Sequence, residues 1–450
     1  MKKKIALIVL FIIIFLSIGS YLVSSNSTIS KEIKKFIPNN IKLLLKETIF
    51  IIPKLKKDNY EILQKIKLLD RDLSILKVNN KKMIGVKIFD DPLKSKSYSS
   101  NIKLTKFFLT SPPHAFKGYQ KSQFYAGRYI ENFKKKLILF DTLKFYTTVI
   151  DKDIFKINKI NLKDIQTNIK DFTNLRGIRD MKIIEDKLYL FAIFEDSSNS
   201  GVYNIKILTS KINLNKSNDN FDKFIFKTFL KFNFDVKNIV QSGGRIDEFK
   251  KGHMILSFGD FGTPKWDGIE EDFFSDDNFL GKIISINLNT KEIDILSKGH
   301  RNPQGLTFNK ENNIIINTEH GPKGGDEINI NFLDMVYDFG WPLASYGIRY
   351  NGDDPFQKNH KNFKEPIRYF TPSIAPSQVI PKSSDNSFYI TSLKDTSIYE
   401  IKFSKDFSQI LQEKKILIGE RIRDIIHVDN DIYALALDNS PALAFFKEDN

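Results

Sequence analysis

The sequence predicts an all-β chain built as a β-propeller, preceded by an N-terminal transmembrane helix and a short helical segment. Three observations predict it. A polar turn followed by a strand of β-formers recurs five times, at Asp186–Phe191, Gly252–Ser257, Asn313–Ile316, Asn386–Ile390 and Asn430–Leu435. A second strand usually follows, as in Lys282–Leu288 and Ser397–Phe403. Helical periodicity is rare from about residue 84 onward, whereas the stretch before it is apolar and then helically periodic. Irregularly spaced β units with unusual residues in their loops are the signature of propeller blades. A pair of β-sandwiches gives similar strands, and the repeat alone leaves that architecture open.

The elements follow in order. Met1–Lys4 is basic, and Ile5–Val23 is an apolar run broken only by Ser17, Gly19 and Ser20. That length is close to the ~20 residues that span a bilayer. A cleavable signal peptide has a shorter apolar core and small residues at its cleavage site. Here the run ends in Tyr21-Leu22-Val23, with only Ser24-Ser25 beyond it. An uncleaved anchor over residues 1–25 is therefore favoured over a signal peptide. Lys2–Lys4 stay in the cytoplasm, so the expected placement is single-pass in the cell membrane, with the rest extracytoplasmic, in the periplasm. Residues 26–83 read as helical, with Ile41, Leu44, Leu45 and Ile49 before Pro53, and Ile62, Ile66, Leu69 and Leu73 after it. A stalk that lifts a domain off the membrane and a helix packed on that domain both fit. The propeller is expected over 84–450.

The formal charge is +15, from 69 basic and 54 acidic residues. Lysine is frequent throughout, and no dense basic run is interleaved with aromatics, so no nucleic-acid partner is expected. A basic surface favours anionic ligands or an anionic membrane face. The chain has no cysteine. That excludes disulfides, thiolate metal sites, cysteine nucleophiles and iron–sulfur clusters, and it leaves the compartment open.

The chemistry centres on Gly299–Glu327. Leu306–Phe308 and Ile314–Asn317 are short strands, with Asn312-Asn313 as the turn between them. Before them, Arg301 and Asn302 precede Pro303, which biases Asn302 away from helix. After them comes His320-Gly321-Pro322-Lys323-Gly324-Gly325, followed by Asp326 and Glu327. Free loop carbonyls beside carboxylates are what a hard cation such as Ca²⁺ needs. An arginine-capped turn followed by a solvated acidic loop reads the same residues without a ligand.

GHRNPQGL at 299–306, EHGPKGGDEIN at 319–329 and FGWP at 339–342 closely resemble the soluble PQQ-dependent glucose/sorbosone (aldose sugar) dehydrogenases. The resemblance runs from about Asp171 to Leu437. It implies six blades, with PQQ over the central axis and Ca²⁺ beside it, and a reaction that takes a hydride from C1 of an aldose. Lys394, Arg421 and Arg423 match the residues that hold the PQQ carboxylates. Arginine's planar fork suits that task, although Arg-x-Arg alone is more often a solvated face. Gly321 and Pro322 match the backbone-carbonyl ligands of the catalytic calcium, a Lewis acid on the quinone. Glu327 matches a ligand of a structural calcium. Arg301 and Asn302 match the residues over the quinone, where a fixed cation stabilises developing charge. Pro372–Ser377 resembles the segment lining the PQQ pocket, with Thr371 where the glucose dehydrogenases place a stacking aromatic.

The sequence departs from the family at the base. The family histidine falls four residues before the arginine of a Gly-Arg-Leu motif, and here that position is Gln241, four before Arg245. An amide hydrogen-bonds but does not accept a proton at neutral pH. The histidine's partner aspartate is matched by Asp260. Two functions follow. One is PQQ-dependent oxidation of an aldose or related alcohol, with Asp260 acting as base directly or through water. The other is a catalytically weak or inactive propeller that binds a sugar or a protein partner. A calcium-dependent hydrolase lacks a nucleophile–base pair in this sequence.

Overall fold

The computed structural model describes the strands Ile84–Val86, Ile88–Phe89 and Ile102–Phe108, and residues 125–448 apart from short segments, the longest being 263–274 and 349–359. The expected anchor (1–25) and helical segment (26–83) lie outside the described residues. The chain divides into two compact units, Met1–Lys81 and Lys82–Asn450. Among the described residues, no helix is long and apolar enough to cross a membrane.

The second unit is a six-bladed β-propeller, with six sheets of four or five strands. The innermost strands of blades 1 to 6 are Tyr129–Phe133, Leu175–Ile184, Gly243–Glu248, Pro303–Asn309, Pro376–Pro381 and Ile422–Asp429. Each meets the next, and the sixth meets the first, which closes the ring. Closure is also made by hydrogen bonds. Blade 6 takes its outer strand from the N-terminal side, where Ile102–Phe108 pairs antiparallel with Ala442–Glu448 from Ile102↔Glu448 to Phe108↔Ala442. This arrangement excludes the pair of sandwiches.

The packing explains the sequence pattern. A separate apolar cluster fills each of the six blade-to-blade interfaces. Each sheet is covered on both faces, so its central strands are apolar throughout rather than alternating. Leu188–Phe194 in blade 2 and Tyr433–Leu437 in blade 6 are buried at every position. The polar turns before these second strands are tight, and Glu185, Asn313 and Asn386 have φ of 58°, 51° and 46°.

The axis itself is polar. Arg245 of blade 3 is 2% exposed. Its Nη1 donates to Asp180 Oδ1 of blade 2 and to Asp424 Oδ1 of blade 6, both at 3.0 Å. Its Nη2 donates to the carbonyls of Ser377 in blade 5 (3.0 Å) and Arg423 in blade 6 (2.7 Å), and its Nε donates to the Gln304 carbonyl of blade 4 (2.6 Å). The guanidinium also lies 5.4 Å from the Tyr129 ring of blade 1. One side chain thus bonds or stacks against the five other blades.

Candidate active site

The predicted residues gather for a topological reason. In an antiparallel blade, the start of the innermost strand and the end of the second strand lie at the same end of the sheet. Gln241, Arg301, Asn302 and Arg421 directly precede innermost strands, and Arg423 is the second residue of one. Asp260, His320, Gly321, Pro322 and Lys394 directly follow second strands, and Glu327 is the second residue of a third strand. All of them therefore sit at one mouth of the axis.

Arg301 is the centre of this mouth. Its backbone N–H donates to Glu319 Oε2 (2.7 Å), and its Nη1 donates to the carbonyls of His320 (2.9 Å) and Gly321 (2.7 Å). The guanidinium lies 5.2 Å from the Trp341 ring, and its buried Nε has no hydrogen-bond partner. Glu319 also accepts from His300 Nδ1 (2.9 Å) and Asn329 Nδ2 (2.7 Å). Burial opposes its charge, but the His300 ring and these donors hold its carboxyl below the usual range. His320 Nε2–H donates to the Pro376 carbonyl (2.8 Å). Burial, with Arg301, Arg423 and Arg421 nearby, pushes its pKa down to about 3, so the ring is neutral. Asn302 Oδ1 accepts from Gly243 N (3.2 Å) and Gln304 Nε2 (3.0 Å).

Gln241 stands beside Asp260. It adopts φ = 53°, and its carbonyl lies so close to Gly259 that a Cβ there would meet it at 1.9 Å. Its amide satisfies both neighbours when Nε2 donates to Asp260 Oδ1 (2.8 Å) and Oε1 accepts from Arg301 Nη2 (2.5 Å). Asp260 also accepts from Gly262 N at Oδ1 (2.8 Å) and from Trp341 Nε1 at Oδ2 (2.9 Å). It is 1% exposed. Burial, partly offset by Arg301, pushes its pKa up to about 6. Three N–H donors, from Gln241, Gly262 and Trp341, hold this carboxylate.

Blades 5 and 6 carry the remaining cations. Arg423 Nη2 pairs with Asp438 Oδ2 at 3.0 Å and its Nη1 donates to Gln304 Oε1 (3.3 Å). Arg421 Nη2 approaches the same Asp438 oxygen at 3.9 Å, and its Nη1 donates to the Leu393 carbonyl (3.2 Å). The two guanidinia share a face, as their spacing predicts. Lys394 is exposed on the neighbouring blade, its backbone N–H bonded to the Ile374 carbonyl (3.0 Å). Glu327 is buried opposite Glu319 in strand register. Burial, reinforced by Glu319, raises its carboxyl well above the usual range.

Residues 175–444, more than half of the chain, match the family model for glucose/sorbosone dehydrogenase. This chain belongs to the glucose/sorbosone dehydrogenase family. It is 35% identical over 162 residues to the aldose sugar dehydrogenase YliI of Escherichia coli, covering 33% of this chain and 43% of that one. It is 30% identical over 228 residues to the uncharacterized protein slr1608 of Synechocystis, covering 45% and 54%. The chain thus spans about half the length of these relatives. Its fold resembles the solved soluble aldose sugar dehydrogenase of Escherichia coli, with a TM-score of 0.55 at 18% identity over 77% of this chain and 99% of that one. A solved glucose dehydrogenase gives 0.55 at 19% identity over 72% and 98%.

Within this family member, the site uses residues to which the sequence reading gave no role. Asp438, Glu319, His300 and Trp341 fix the predicted residues, and Arg245 holds the backbones of Gln304 and Arg423. A signal for part of this set exists. An acidic residue ends or closely follows the second strand in five blades, as Asp141, Glu195, Asp260, Glu319 and Asp438. In blades 1, 2 and 6 it pairs with an arginine at the start of the innermost strand: Arg128–Asp141 (3.1 Å), Arg176–Glu195 and Arg423–Asp438.

Proposed function

We propose that this chain binds PQQ and Ca²⁺ at the mouth of its axis and oxidises an aldose or related alcohol. The observation that carries the reading is the convergence of Arg301, Arg421 and Arg423, with exposed Lys394 beside them, at one end of a propeller of this family. Arg421 and Arg423 both approach Asp438 Oδ2, and clustered guanidinia suit an anionic ligand with several carboxylates. That donor set fits a tricarboxylate. The cation fit is conditional. The Gly321 carbonyl accepts one hydrogen bond from Arg301, so only its second lone pair is left for a Ca²⁺ held by Gly321 and Pro322. Glu327 faces Glu319 and lies 3.9 Å from His360 Nε2, a buried ring with neither nitrogen hydrogen-bonded. Backbone carbonyls or water would have to complete a cation's oxygen shell there. Among the described residues, no three His, Asp or Glu side chains converge on one point.

When bound, PQQ with Ca²⁺ would supply the hydride acceptor. The chain's own contribution is positioning and charge. Arg421, Arg423 and Lys394 would hold the carboxylates of PQQ, Arg301 and Asn302 would supply hydrogen-bond donors to it, and Trp341 covers Asp260 through its Nε1 bond. The substrate hydroxyl must also lose a proton, and the enclosed Asp260 is poorly placed to take it. That observation favours the second reading, a catalytically weak or inactive propeller that binds a sugar or a protein partner. We further propose that residues 1–25 anchor the protein in the cell membrane, with the propeller in the periplasm.

Calorimetric titration of PQQ into the full-length protein, with and without Ca²⁺, tests the binding claim. Saturable binding that Arg421→Ala/Arg423→Ala loses is the expected result, and no binding to the wild type refutes it. Dye-linked aldose oxidation on the loaded protein then separates the enzyme from the binder.

A further inference from the structure

The outer rim of the propeller ends differently in blade 2. The outermost strands of blades 1, 3, 4, 5 and 6 are Lys163–Ile165, Tyr337–Asp338, Arg368–Phe370, Ile88–Phe89 and Ile84–Val86, each of two or three residues. Blade 2 ends on Lys227–Val236, a strand of ten. At about 3.4 Å per residue, this edge is ~34 Å long. Tyr203–Lys211 pairs with it on the inner side. Among the described residues, no further strand and no backbone of a loop bonds to it. Very short edge strands are one way in which proteins blunt a rim, and blade 2 lacks that device. An open edge of this length is a template for one more strand.

The edge is anchored from beneath. Phe232 and Val236 are buried in the core between blades 2 and 3, with Leu230 and Phe234 half-buried against it. The Phe232 ring meets that of Phe258 edge-on at 4.9 Å. Lys231, Asn233 and Asp235 are exposed. The strand is also complementary to itself when run antiparallel about Asn233. Lys231 then falls opposite Asp235, Phe232 opposite Phe234 and Leu230 opposite Val236. Opposite charges and aromatic pairs facing each other across strands stabilise a sheet, whereas like charges destabilise it. Other registers bring lysines together. Centring on 232 opposes Lys227 and Lys237, centring on 234 opposes Lys231 and Lys237, and centring on 231 opposes Lys231 and its own copy. The twist of the blade sets the orientation. Each strand is rotated by roughly 20–25° from its neighbour, so three steps turn the outermost strand by about 60–75° from the innermost, which lines the axis. A two-fold axis normal to this edge therefore lies nearer to the propeller axis than across it, and both mouths open to the same side.

We propose that Lys227–Val236 is a self-association edge, on which a second copy of this chain adds its own Lys227–Val236 antiparallel and centred on Asn233. One sheet then runs through blade 2 of both copies. The charge pattern selects this occupant, because two copies satisfy both lysine–aspartate pairs at once. A single strand pair is a small interface, so the dimer is reversible and concentration-dependent. The inference is independent of PQQ, Ca²⁺ and sugar.

The test is sedimentation velocity on the full-length protein in detergent over a range of concentrations, with a monomer–dimer equilibrium as the expected result. Lys231→Asp sets aspartate against aspartate at two symmetric positions and should weaken the dimer by at least about tenfold. The swap Lys231→Asp/Asp235→Lys should recover most of that loss. The chain has no cysteine, so one introduced thiol reports the register. Residues directly opposite in an antiparallel pair have Cα atoms about 4.5–5.5 Å apart, within the ~4.4–6.8 Å that a disulfide spans. Asn233→Cys should therefore give a disulfide-linked dimer under mild oxidation. Thr228→Cys should not, because its two copies would lie about 34 Å apart. Circular dichroism should match the wild type in every variant. A monomer at all concentrations overturns the proposal and leaves the edge to an extended segment of another protein. A dimer that Lys231→Asp does not weaken overturns it as well, as does a Thr228→Cys variant that links as readily as Asn233→Cys.

Discussion

Gln241→His should convert the site into a competent general-base centre. The Gln241 amide lies 2.8 Å from Asp260 Oδ1. The Asp260 carboxylate is already fixed by Gly262 N and Trp341 Nε1, so the acceptor that would orient an imidazole is preset. A histidine Nδ1–H there can take the place of the amide and direct Nε2 into the mouth. The backbone permits it, since the φ of 53° at this position is better tolerated by histidine than by most side chains. Arg301 Nη2, now 2.5 Å from the amide oxygen, opposes an imidazolium, by about 4 kcal/mol for a unit-charge pair at 4 Å and an effective dielectric of 20. Asp260 offsets this with opposite charge at similar range. General-base catalysis contributes about 10²–10⁴-fold, or ~3–5 kcal/mol of barrier. The assay is dye-linked aldose oxidation by protein loaded with PQQ and Ca²⁺, comparing wild type, Gln241→His and Gln241→His/Asp260→Asn. The expected result is a rise of at least about a hundredfold in kcat for the single variant, largely lost in the double variant, with equal PQQ affinity in all three. If PQQ binds equally and kcat of Gln241→His stays at the wild-type value, the missing base is not what limits the site, and the reasoning fails.

Two stability predictions come from the axis. Arg245→Met should cost about 3–5 kcal/mol in urea unfolding, because it strands Asp180 and Asp424 without their buried counter-ion. Adding Asp180→Asn and Asp424→Asn should recover part of the loss, and a single-variant cost under about 1 kcal/mol would contradict the role of the hub. Burial pushes Glu131 up to about 8. A carboxyl raised in the fold contributes stability that is present at low pH and lost as pH rises through its folded value, by ~1.4 kcal/mol per unit between the two pKa values. Lys182, raised by Asp247 and Glu131 against burial, does not cancel this, because its contribution is lost only above the ordinary lysine range. The melting temperature should therefore fall from pH 5 to pH 8, less steeply in Glu131→Gln. A flat or rising wild-type profile would show that Glu131 is ionised in the fold throughout.

How much of this was legible in the sequence depended on whether a residue's partner lay nearby in the chain. The second strands of blades 2 to 6 were visible because a polar turn precedes an unbroken apolar run. Blade 1 was not, because its turn is Lys134–Lys135, at φ of 52° and 65°. Two lysines there resemble the rest of a lysine-rich chain, whereas asparagine or glycine would have marked the turn. Gln241, Asp260, Arg301, Asn302, Arg421 and Arg423 were found through ordered motifs, and the structure brings them to one mouth because strand starts and second-strand ends coincide there. Arg245 was visible only as a landmark beside Gln241. Its partners are Asp180, Gln304, Ser377, Arg423 and Asp424, all between 59 and 179 residues away. No local period reports such a contact. The ring must close before one guanidinium can reach carbonyls and carboxylates of several blades. The same closure delivers Arg423 to the mouth through its backbone carbonyl. The sequence therefore displays which residues match the family motifs, while the geometry that brings them together arises only at the axis.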